Sequence, residues 1–538
     1  MRMRSSADST IDRGVFGIAF VISAVFVLWG VFFTDNLSVV ASTILGFLIA
    51  DLGWVFVLST FAFLVFVVFL AFSRYGRIRL GGDDDRPEFK TVSWIAMMFS
   101  VGMGIGLMFF GVAEPISHLA APPHGTATAG STEAARVAMQ YSYFHWALHP
   151  WAIYAVVGLA LAYSTFRKGR RNLISSAFYP ILGDRVDGPV GKAIDILAIF
   201  ATLFGTATSL GLGALQINGG MNYLWGAIPL SNGWAIGIIV VMTVAFILSA
   251  VSGVHRGIQW LSNINMVLAV LLVLFLLVVG PTVFILNTFT ESLGAYASNL
   301  VTMSFTTAAS GDEAFLAAYT LFYWAWWISW TPFVGTFIAR ISKGRTIREF
   351  VLGVLLVPSV VTFIWFSVLG GAAINLELSG PGGIADAVVE SPAVALFATL
   401  NQFPLAAVMS LIAIILVALF FISGADAGAI VMGMLSSRGV LEPRRWLVVV
   451  WGALAGAVAS ICLLSGGLEG LQQAAIISAA PFVLVMIGIC YSLFKELRAE
   501  TLPDIVLEAP EPERAPIRPS GAPAPQQTSS ENPQDRGK

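Results

Sequence analysis

The sequence predicts an all-α polytopic membrane protein with twelve transmembrane helices. Of its 538 residues, 57% are hydrophobic and only 11% are charged, whereas soluble globular chains carry about 25% charged residues. Apolar runs long enough to cross a bilayer recur throughout the chain. They lie near 15–33, 52–72, 92–112, 138–164, 193–216, 235–252, 258–287, 316–339, 351–372, 404–435, 446–465 and 471–494.

The basic residues predict how these spans are oriented. Every Lys and Arg except Arg136 falls near a terminus or in the connection that follows an even-numbered span. Connections rich in Lys and Arg remain on the cytoplasmic side. We therefore expect a multi-pass protein of the cell (plasma) membrane, embedded in the lipid bilayer, with both termini cytoplasmic.

Composition also separates two tails from the membrane domain. Residues 1–13 are polar and predict a cytoplasmic N-terminal tail, followed by the twelve-helix domain at 14–498. Residues 499–538 combine many prolines with mixed charges and few apolar residues, which predicts a disordered cytoplasmic tail. This tail lacks the clustered basic residues that bind anionic lipids in osmotically regulated relatives, so we expect weak or no osmotic activation.

Two spans depart from the pattern of smooth apolar helices. The third contains "SVGMGIGLMFFG" with alternating glycines, and the eighth contains "FYWAWWISWTPFVG" with Pro332. Glycine weakens a helix, and proline removes a backbone donor. If spans 3–7 and 8–12 are two repeats, the interruptions occupy matching positions, which is typical of a transporter's binding site. The alternative is that the glycines only permit close helix packing.

Five stretches of the chain resemble the betaine/choline/carnitine transporter family. They are "GMGIGLMFFGVAEP" (102–115), "FHWALHPWAIYA" (144–155), "FGTATSLGLGALQ" (204–216), "YWAWWISWTPFVG" (323–335) and "FFISGADAG" (420–428). The resemblance covers about residues 15–495 and is closest to sodium-coupled glycine betaine transporters. It implies a LeuT-type fold of two inverted five-helix repeats, spans 3–7 and 8–12, preceded by two extra helices and usually assembled as a homotrimer.

The same resemblance implies secondary uptake of a quaternary-ammonium or similar zwitterionic compatible solute. A trimethylammonium group cannot donate a hydrogen bond, but aromatic faces attract it by about 2 kcal/mol or more when it is desolvated. Spans four and eight each carry three aromatic side chains on one helical face, in mid-span instead of the interfacial belt where aromatics often lie. The resemblance implies an aromatic box of Trp146, Trp151, Tyr154 and Trp327, with Trp326 and Trp330 along the route inward.

The carboxylate of a zwitterion needs donors without a full counter-charge. Unwound backbone at Gly102, Gly104 and Gly106 exposes amide groups, and a half-helix N-terminus adds positive potential. By resemblance, Met103 and the Ser209 hydroxyl join this substrate-binding set. Relatives that take choline tend to carry aspartate at the last position of the glycine motif. The glycine there predicts a preference for zwitterions over choline.

Oxygen ligands for a coupling ion recur along the fifth span. Three hydroxyls at i, i+4 and i+7 form a stripe, and Na⁺ prefers oxygen ligands. The resemblance implies one Na⁺ near Thr202, Thr206 and Phe333, and a second between Ser100, Met103, Phe420, Ser423 and Gly424. Sodium-driven relatives have two adjacent hydroxyls at the last two of these positions, so the glycine weakens the second site. The alternative for each hydroxyl is a bond to its own helix backbone.

Other polar residues support weaker expectations. Glu114 is expected to cap structure near the outer end of span three. His145 and His149 have the i, i+4 spacing of metal ligands, but no third ligand is evident nearby. No nucleophile motif or phosphate loop indicates an enzyme, and neither a cofactor nor a nucleic-acid partner is expected.

Several functional hypotheses follow. The leading one is a sodium symporter that imports glycine betaine or a similar solute by alternating access. The alternatives are a proton-driven choline carrier, a sodium-independent exchanger of the same family, or a membrane osmosensor that does not transport. No Lys or Arg lies inside a predicted span where an exchanger would place one, which favours sodium. The sequence does not rank betaine against ectoine, proline or a sulfonium analogue.

Overall fold

The elements of the chain are helices throughout the described ranges. The computed structural model describes residues 11–102, 104–252 and 255–500, without the side chains of 99–102, 251, 252, 255–262 and 310. The first helices are α1 (Arg13–Phe32), α2 (Thr34–Phe72), α3 (Thr91–Gly102), α4 (Ile105–Ala120), α5 (Thr132–Trp146), α6 (Leu148–Ala162), α7 (Tyr179–Leu182), α8 (Pro189–Trp225) and α9 (Asn232–Ser252). They are followed by α10 (His255–Val279), α11 (Thr282–Ser304), α12 (Glu313–Phe315), α13 (Leu321–Ile341), α14 (Ile347–Ser379), α15 (Ile384–Glu390), α16 (Ala395–Leu400), α17 (Ala406–Leu435) and α18 (Arg445–Arg498).

Length and hydropathy identify the helices that suit a membrane. Within the described ranges, nine helical stretches are long and apolar enough to cross one, and a tenth results if the bent pair formed by 263–279 and 282–304 counts as one span. The predicted total of twelve is not reached on these criteria. One reason is α18, which covers the last two predicted spans as 54 residues whose backbone leaves the helical conformation at Gly466 and Gly467.

Burial separates inner from outer helices. In the most apolar window of Thr132–Arg167, 94% of the residues are buried, against 22% in α1 and 22% in α9. The outer helices expose large apolar side chains such as Phe32 and Val241, which suits contact with lipid tails. The inner helices α4, α5, α6, α8, α13 and α14 pack on one another and surround the candidate site.

The predicted interruption of span three is present. Helix α3 ends at Gly102, and α4 begins at Ile105 after an extended Gly104. Met103 between them lies outside the described residues, as does the side chain of Ser100. The glycine segment therefore splits this span into two helices, as its composition indicates.

The predicted interruption of span eight at Pro332 is wrong. Helix α13 runs from Leu321 to Ile341 with Pro332 inside it. The irregular backbone of this span comes earlier, as one π-helical turn at Leu316–Thr320. Packed neighbours tolerate a proline in a membrane helix because they can satisfy the carbonyl group that it leaves free.

Span four contains a break that the sequence analysis did not predict. Helix α5 ends at Trp146, Ala147 has φ −100° and ψ −110°, and α6 begins at Leu148. Pro150 has no N–H to donate to the carbonyl oxygen of Trp146, and in a continuous helix its ring would clash with that carbonyl group. That carbonyl instead accepts a hydrogen bond from Thr362 Oγ1 of α14 at 3.1 Å. The continuous helix assumed for the aromatic face of span four is thus corrected to two helices.

Candidate functional site

A cavity of about 580 Å³, including its opening, lies among the inner helices. Its walls combine the first turn of α4, the break between α5 and α6, and one face each of α8, α13 and α14. The lining residues are Gly104, Ile105, Gly106, Leu107, Trp146, Pro150, Trp151, Tyr154, Ser209, Trp326, Trp327, Trp330, Val334 and Thr362. The cavity is thus aromatic on one side and lined by helix-start backbone on another.

The aromatic wall is held together by ring–ring contacts. Trp327 is central: its ring centroid lies 4.8 Å from that of Trp146 at 72°, and 4.8 Å from that of Trp326 in a stacked arrangement. Tyr154 is edge-on to two rings: its ring centroid lies 6.4 Å from that of Trp327 and 5.4 Å from that of Trp151. Edge-to-face and offset pairs of this kind are favourable beyond their buried area. The rings therefore form one rigid wall from three helices.

The indole N–H groups of Trp146, Trp326 and Trp327 each have an acceptor within the protein. Trp146 Nε1 donates to Glu114 Oε2 at 2.6 Å, and Trp326 Nε1 donates to Ser209 Oγ at 3.2 Å. Trp327 Nε1 donates to the carbonyl oxygen of His145 at 3.1 Å. Buried indoles need such partners, and here the partners fix the orientation of the three rings.

Trp330 differs from these tryptophans. Its Nε1 is buried, and it has no acceptor in the described part of the chain, although the residue lines the cavity. A buried N–H without an acceptor costs about 1–3 kcal/mol. A ligand with an acceptor group could remove that cost.

The glycine end of the cavity is formed by the first turn of α4. The first N–H groups of a helix have no partner within it and carry positive potential. Side-chain space differs sharply between the two glycines here. A Cβ on Gly106 would lie 2.7 Å from Trp146 Cη2 and 2.8 Å from Trp326 Cη2, whereas a Cβ on Gly104 would meet no described heavy atom within 4 Å. Gly106 thus lets the α4 backbone approach two indole rings.

Most residues predicted to bind substrate line this one cavity. They are Gly104, Gly106, Trp146, Trp151, Tyr154, Ser209, Trp326, Trp327 and Trp330. Gly102 ends α3, its surroundings are not among those the structure describes, and Met103 lies outside the described residues. Trp324 packs elsewhere, stacked on His149 at 5.1 Å. The sequence analysis missed Ile105, Leu107, Pro150, Val334 and Thr362, of which only Pro150 carried a local signal.

Comparison with known proteins identifies the family. The model of the BCCT family, described as betaine/carnitine/choline family transporters, matches residues 14–502. The chain belongs to this family. The predicted resemblance is thus confirmed, and the BCCT chain is a multi-pass membrane transporter instead of an enzyme.

Three relatives of the BCCT chain cover most of its length. The glycine betaine transporter OpuD of Bacillus subtilis is 50% identical over 491 residues, which is 90% of this chain and 94% of the relative. The betaine/ectoine transporter LcoP of Corynebacterium glutamicum is 42% identical over 91% of this chain and 78% of its own. An ectoine/hydroxyectoine transporter of Virgibacillus pantothenticus is 42% identical over 89% and 95%.

The first set of predicted ion ligands in this BCCT chain lies on α8 and α13. Thr202 Oγ1 donates to the carbonyl oxygen of Ala198 at 2.8 Å, which is the helix-backbone bond weighed as the alternative. Thr206 Oγ1 faces α17, since it lies 2.5 Å from where a Cβ on Gly428 would be. Phe333 packs edge-on against Trp330 at 5.2 Å.

Three members of the second set, Phe420, Ser423 and Gly424, lie on α17, whereas Met103 and the Ser100 side chain lie outside the described residues. Ser423 Oγ donates to the carbonyl oxygen of Phe420 at 3.2 Å. A Cβ on Gly424 would meet no described heavy atom within 4 Å. Among the described residues, no atom obstructs a side chain at this position.

Glu114 has a different role from the helix cap expected of it. The residue is fully buried, and its carboxylate accepts from Trp146 Nε1 and from Tyr323 OH. The two histidines with metal-ligand spacing are not brought to one site either. His145 Nδ1 bonds Glu114 Oε1 at 2.6 Å, whereas His149 Nε2 bonds Ser304 Oγ at 3.0 Å. In the sequence, the one signal for the buried Glu114 contacts was the presence of a carboxylate inside an apolar span.

Proposed function

We propose that this BCCT chain imports glycine betaine or a similar zwitterionic compatible solute by sodium symport with alternating access. One observation carries the proposal: a single cavity combines an aromatic wall with the N-terminus of α4. A trimethylammonium group is attracted by aromatic faces, and a carboxylate by the N–H groups of a helix start. A zwitterion matches both ends at once, whereas choline matches only one.

The Nε1 group of Trp330 is a donor on a residue that lines this cavity. It is buried without an acceptor among the described residues, so a substrate carboxylate within reach would satisfy it. The names of the relatives agree with a zwitterionic solute, since they refer to glycine betaine, ectoine and hydroxyectoine. We infer that betaine and ectoine are the first two substrates to compare.

Coupling to Na⁺ is the finer part of the proposal. Hydroxyl oxygens at Thr202 and Thr206 and the backbone around Ser423 would supply ligands, with Na⁺ as coupling ion and no cofactor. The proposed architecture is the twelve-span LeuT-type fold with two inverted repeats, both termini cytoplasmic in the plasma membrane, and a homotrimer. Discontinuous helices such as α3–α4 and α5–α6 are typical of binding sites in that fold.

Uptake by proteoliposomes tests substrate and coupling together. Labelled glycine betaine is offered with an inward Na⁺ gradient, with a pH gradient alone, and with neither, while unlabelled ectoine, proline and choline compete. We expect uptake only with Na⁺ and competition by zwitterions but not by choline. Equal uptake with the pH gradient alone would contradict sodium coupling, and equal competition by choline would contradict the zwitterion preference.

Two sets of variants sharpen the sodium test. Thr202→Ala combined with Thr206→Ala is expected to raise the Na⁺ concentration for half-maximal uptake, because two candidate ligands are lost. Gly424→Ser is expected to lower it, because a hydroxyl is added where the described structure leaves a Cβ unobstructed. Thr290→Ala is the matched control, since this exposed hydroxyl bonds only its own helix at Leu286 in the described structure. An unchanged Na⁺ dependence in both the Thr202→Ala/Thr206→Ala variant and the Gly424→Ser variant would contradict the proposed ligands.

A further inference from the structure

Glu114 carries a fully buried carboxylate. It lies on α4, two helical turns after Gly106, and its side chain is 0% exposed. Removing a carboxylate from water costs several kcal/mol unless hydrogen bonds and opposite charges compensate. Ionisable side chains at such positions in membrane proteins are usually functional.

Both oxygens of this carboxylate are occupied by donors from three helices. Oε1 contacts His145 Nδ1 at 2.6 Å and His118 Nε2 at 3.3 Å. Oε2 accepts from Trp146 Nε1 at 2.6 Å and from Tyr323 OH at 2.7 Å. The carboxylate thus joins α4, α5 and α13 where they enclose the cavity.

Two of these partners connect Glu114 to the aromatic wall. Trp146 lines the cavity itself. His145 accepts the Nε1–H of Trp327 through its carbonyl oxygen at 3.1 Å, and the ring of Tyr323 lies parallel to that of Trp327 at 6.1 Å. Trp146 and Trp327, two adjoining rings of the aromatic wall, therefore depend on one carboxylate for their positions.

The charge of this carboxylate also acts through the ring of Trp146. A hydrogen bond to an ionised acceptor is strong and polarises the donor, so negative charge moves onto the indole face. The carboxylate also attracts a cation bound on the other side of this ring directly. The low dielectric of the protein interior screens this attraction only weakly. Both effects favour a quaternary ammonium group over a neutral group of the same shape.

We propose that Glu114 is a positioning and specificity-determining residue that makes the aromatic wall selective for a positively charged head group. The proposal rests on the proposed function, because it needs a solute bound in this cavity. Glu114 acts through Trp146 and Trp327 and does not line the cavity itself.

A metal ion is the competing use of the same residues. One ligand atom each from Glu114, His118 and His145 lie within 4.8 Å of one another. Their geometry is nevertheless that of a closed hydrogen-bond network, since His145 Nε2 is also engaged by Thr320 Oγ1 at 3.0 Å. A metal ion would displace the short bond between His145 and Glu114. The network therefore favours the positioning role.

The decisive experiment compares two ligands of one shape with purified protein. Glycine betaine and 3,3-dimethylbutanoate share a carboxylate and three methyl groups, but the second has carbon in place of the charged nitrogen. Binding is followed by tryptophan fluorescence, and uptake gives KM and maximal rate separately. Glu114→Gln keeps the side-chain size and an acceptor for Trp146 but removes the charge. We expect a betaine Kd about tenfold higher, with the Kd of the neutral-headed ligand unchanged.

Controls separate this outcome from simple damage. Glu133→Gln removes an exposed carboxylate that pairs with Arg136 on the surface and should leave both Kd values unchanged. An equal loss of affinity for both ligands in Glu114→Gln would overturn the specificity role. A wild-type protein that bound neither ligand would overturn the proposed function itself, so the two failures are distinguishable.

Two further measurements complete the test. If Glu114→Gln is not recovered folded, Glu114→Asp keeps the charge but shortens the side chain by about 1.5 Å, one C–C bond. Glu114→Asp should lower the affinity for glycine betaine relative to that for 3,3-dimethylbutanoate. An unchanged ratio of these two affinities would contradict the proposal. Uptake by wild type should resist a strong chelator; loss of uptake that zinc restores would overturn the positioning role in favour of a metal site.

Discussion

Ser209 Oγ accepts a hydrogen bond from Trp326 Nε1 over 3.2 Å, which joins the helix of the predicted ion ligands to the aromatic wall of the cavity. Both residues line the cavity. Their bond is a direct physical route by which a change at α8 could reach the rings on α13. It also means that the serine hydroxyl is already engaged before any solute arrives.

Ser209→Ala should therefore weaken solute binding. The substitution removes the acceptor that holds the Trp326 ring in the cavity wall, so binding has to reorder that ring, and we expect the half-saturation concentration to rise about fivefold, which corresponds to about 1 kcal/mol. Uptake kinetics in whole cells measure it. Thr208→Ala is the control, because Thr208 bonds the backbone of Phe204 and Leu471 instead of a cavity residue. A similar rise in both variants would contradict the assignment.

Trp327→Leu should abolish high-affinity uptake while the protein remains folded and inserted. The change removes one wall of the box and a desolvated cation–π contact of about 2 kcal/mol, which corresponds to roughly thirtyfold in affinity. Trp324→Leu is the matched control, since Trp324 is buried against His149 and Phe144 outside the cavity. An unchanged half-saturation concentration in Trp327→Leu would refute the box.

Gly106→Ala and Gly104→Ala should behave differently. A Cβ at position 106 would lie within 2.8 Å of two indole rings, and overpacking of this kind costs about 1–3 kcal/mol. We expect Gly106→Ala to lose most uptake, and Gly104→Ala to retain it because a Cβ at position 104 would meet no described heavy atom within 4 Å. For the same reason Gly106→Asp should abolish uptake of betaine without adding choline. Uptake of choline by Gly106→Asp would show that the rings can move aside.

The last described residue, Glu500, connects the end of α18 to the segment that follows α6. Its side chain pairs with Arg167 at 2.7 Å and Lys168 at 2.7 Å and accepts from Tyr163. Burial raises the pKa of this carboxyl group, but the hydrogen bonds from Lys168, Tyr163 and Arg167 outweigh it and bring the pKa to about 2. The remainder of the predicted tail, residues 501–538, lies outside the described residues.

Deletion of 501–538 should leave transport and its response to osmolality nearly unchanged. Deletion of 499–538 should in addition lower Tm by a few degrees, because it removes the Glu500 contacts. Since the folded pKa lies below the ordinary 4.5, the contribution is fully present above that pH and is lost as pH falls toward 2. Melting curves of both truncations at neutral and acidic pH measure it. A difference that grew on acidification would contradict the ion pairs, and lost osmotic stimulation in the shorter deletion would contradict the prediction for the tail.

Local composition determined a large part of this protein. The apolar runs specified where helices form, and alternating glycines specified the break between α3 and α4. The aromatic cluster also identified most of the cavity wall, because a solute without hydrogen-bond donors leaves few alternatives to aromatic faces. The sequence stretches shared with the BCCT family were sufficient to predict membership.

Tertiary structure decided what the prolines and the buried carboxylate do. Pro332 continues its helix, whereas Pro150 accompanies a break, and the freed carbonyl of Trp146 is satisfied by Thr362, which is distant in sequence. Glu114 is likewise defined by partners on α5 and α13. An unpaired buried polar group is so costly that its partner decides the local outcome. That partner comes from another helix, and no local pattern along the chain reveals it.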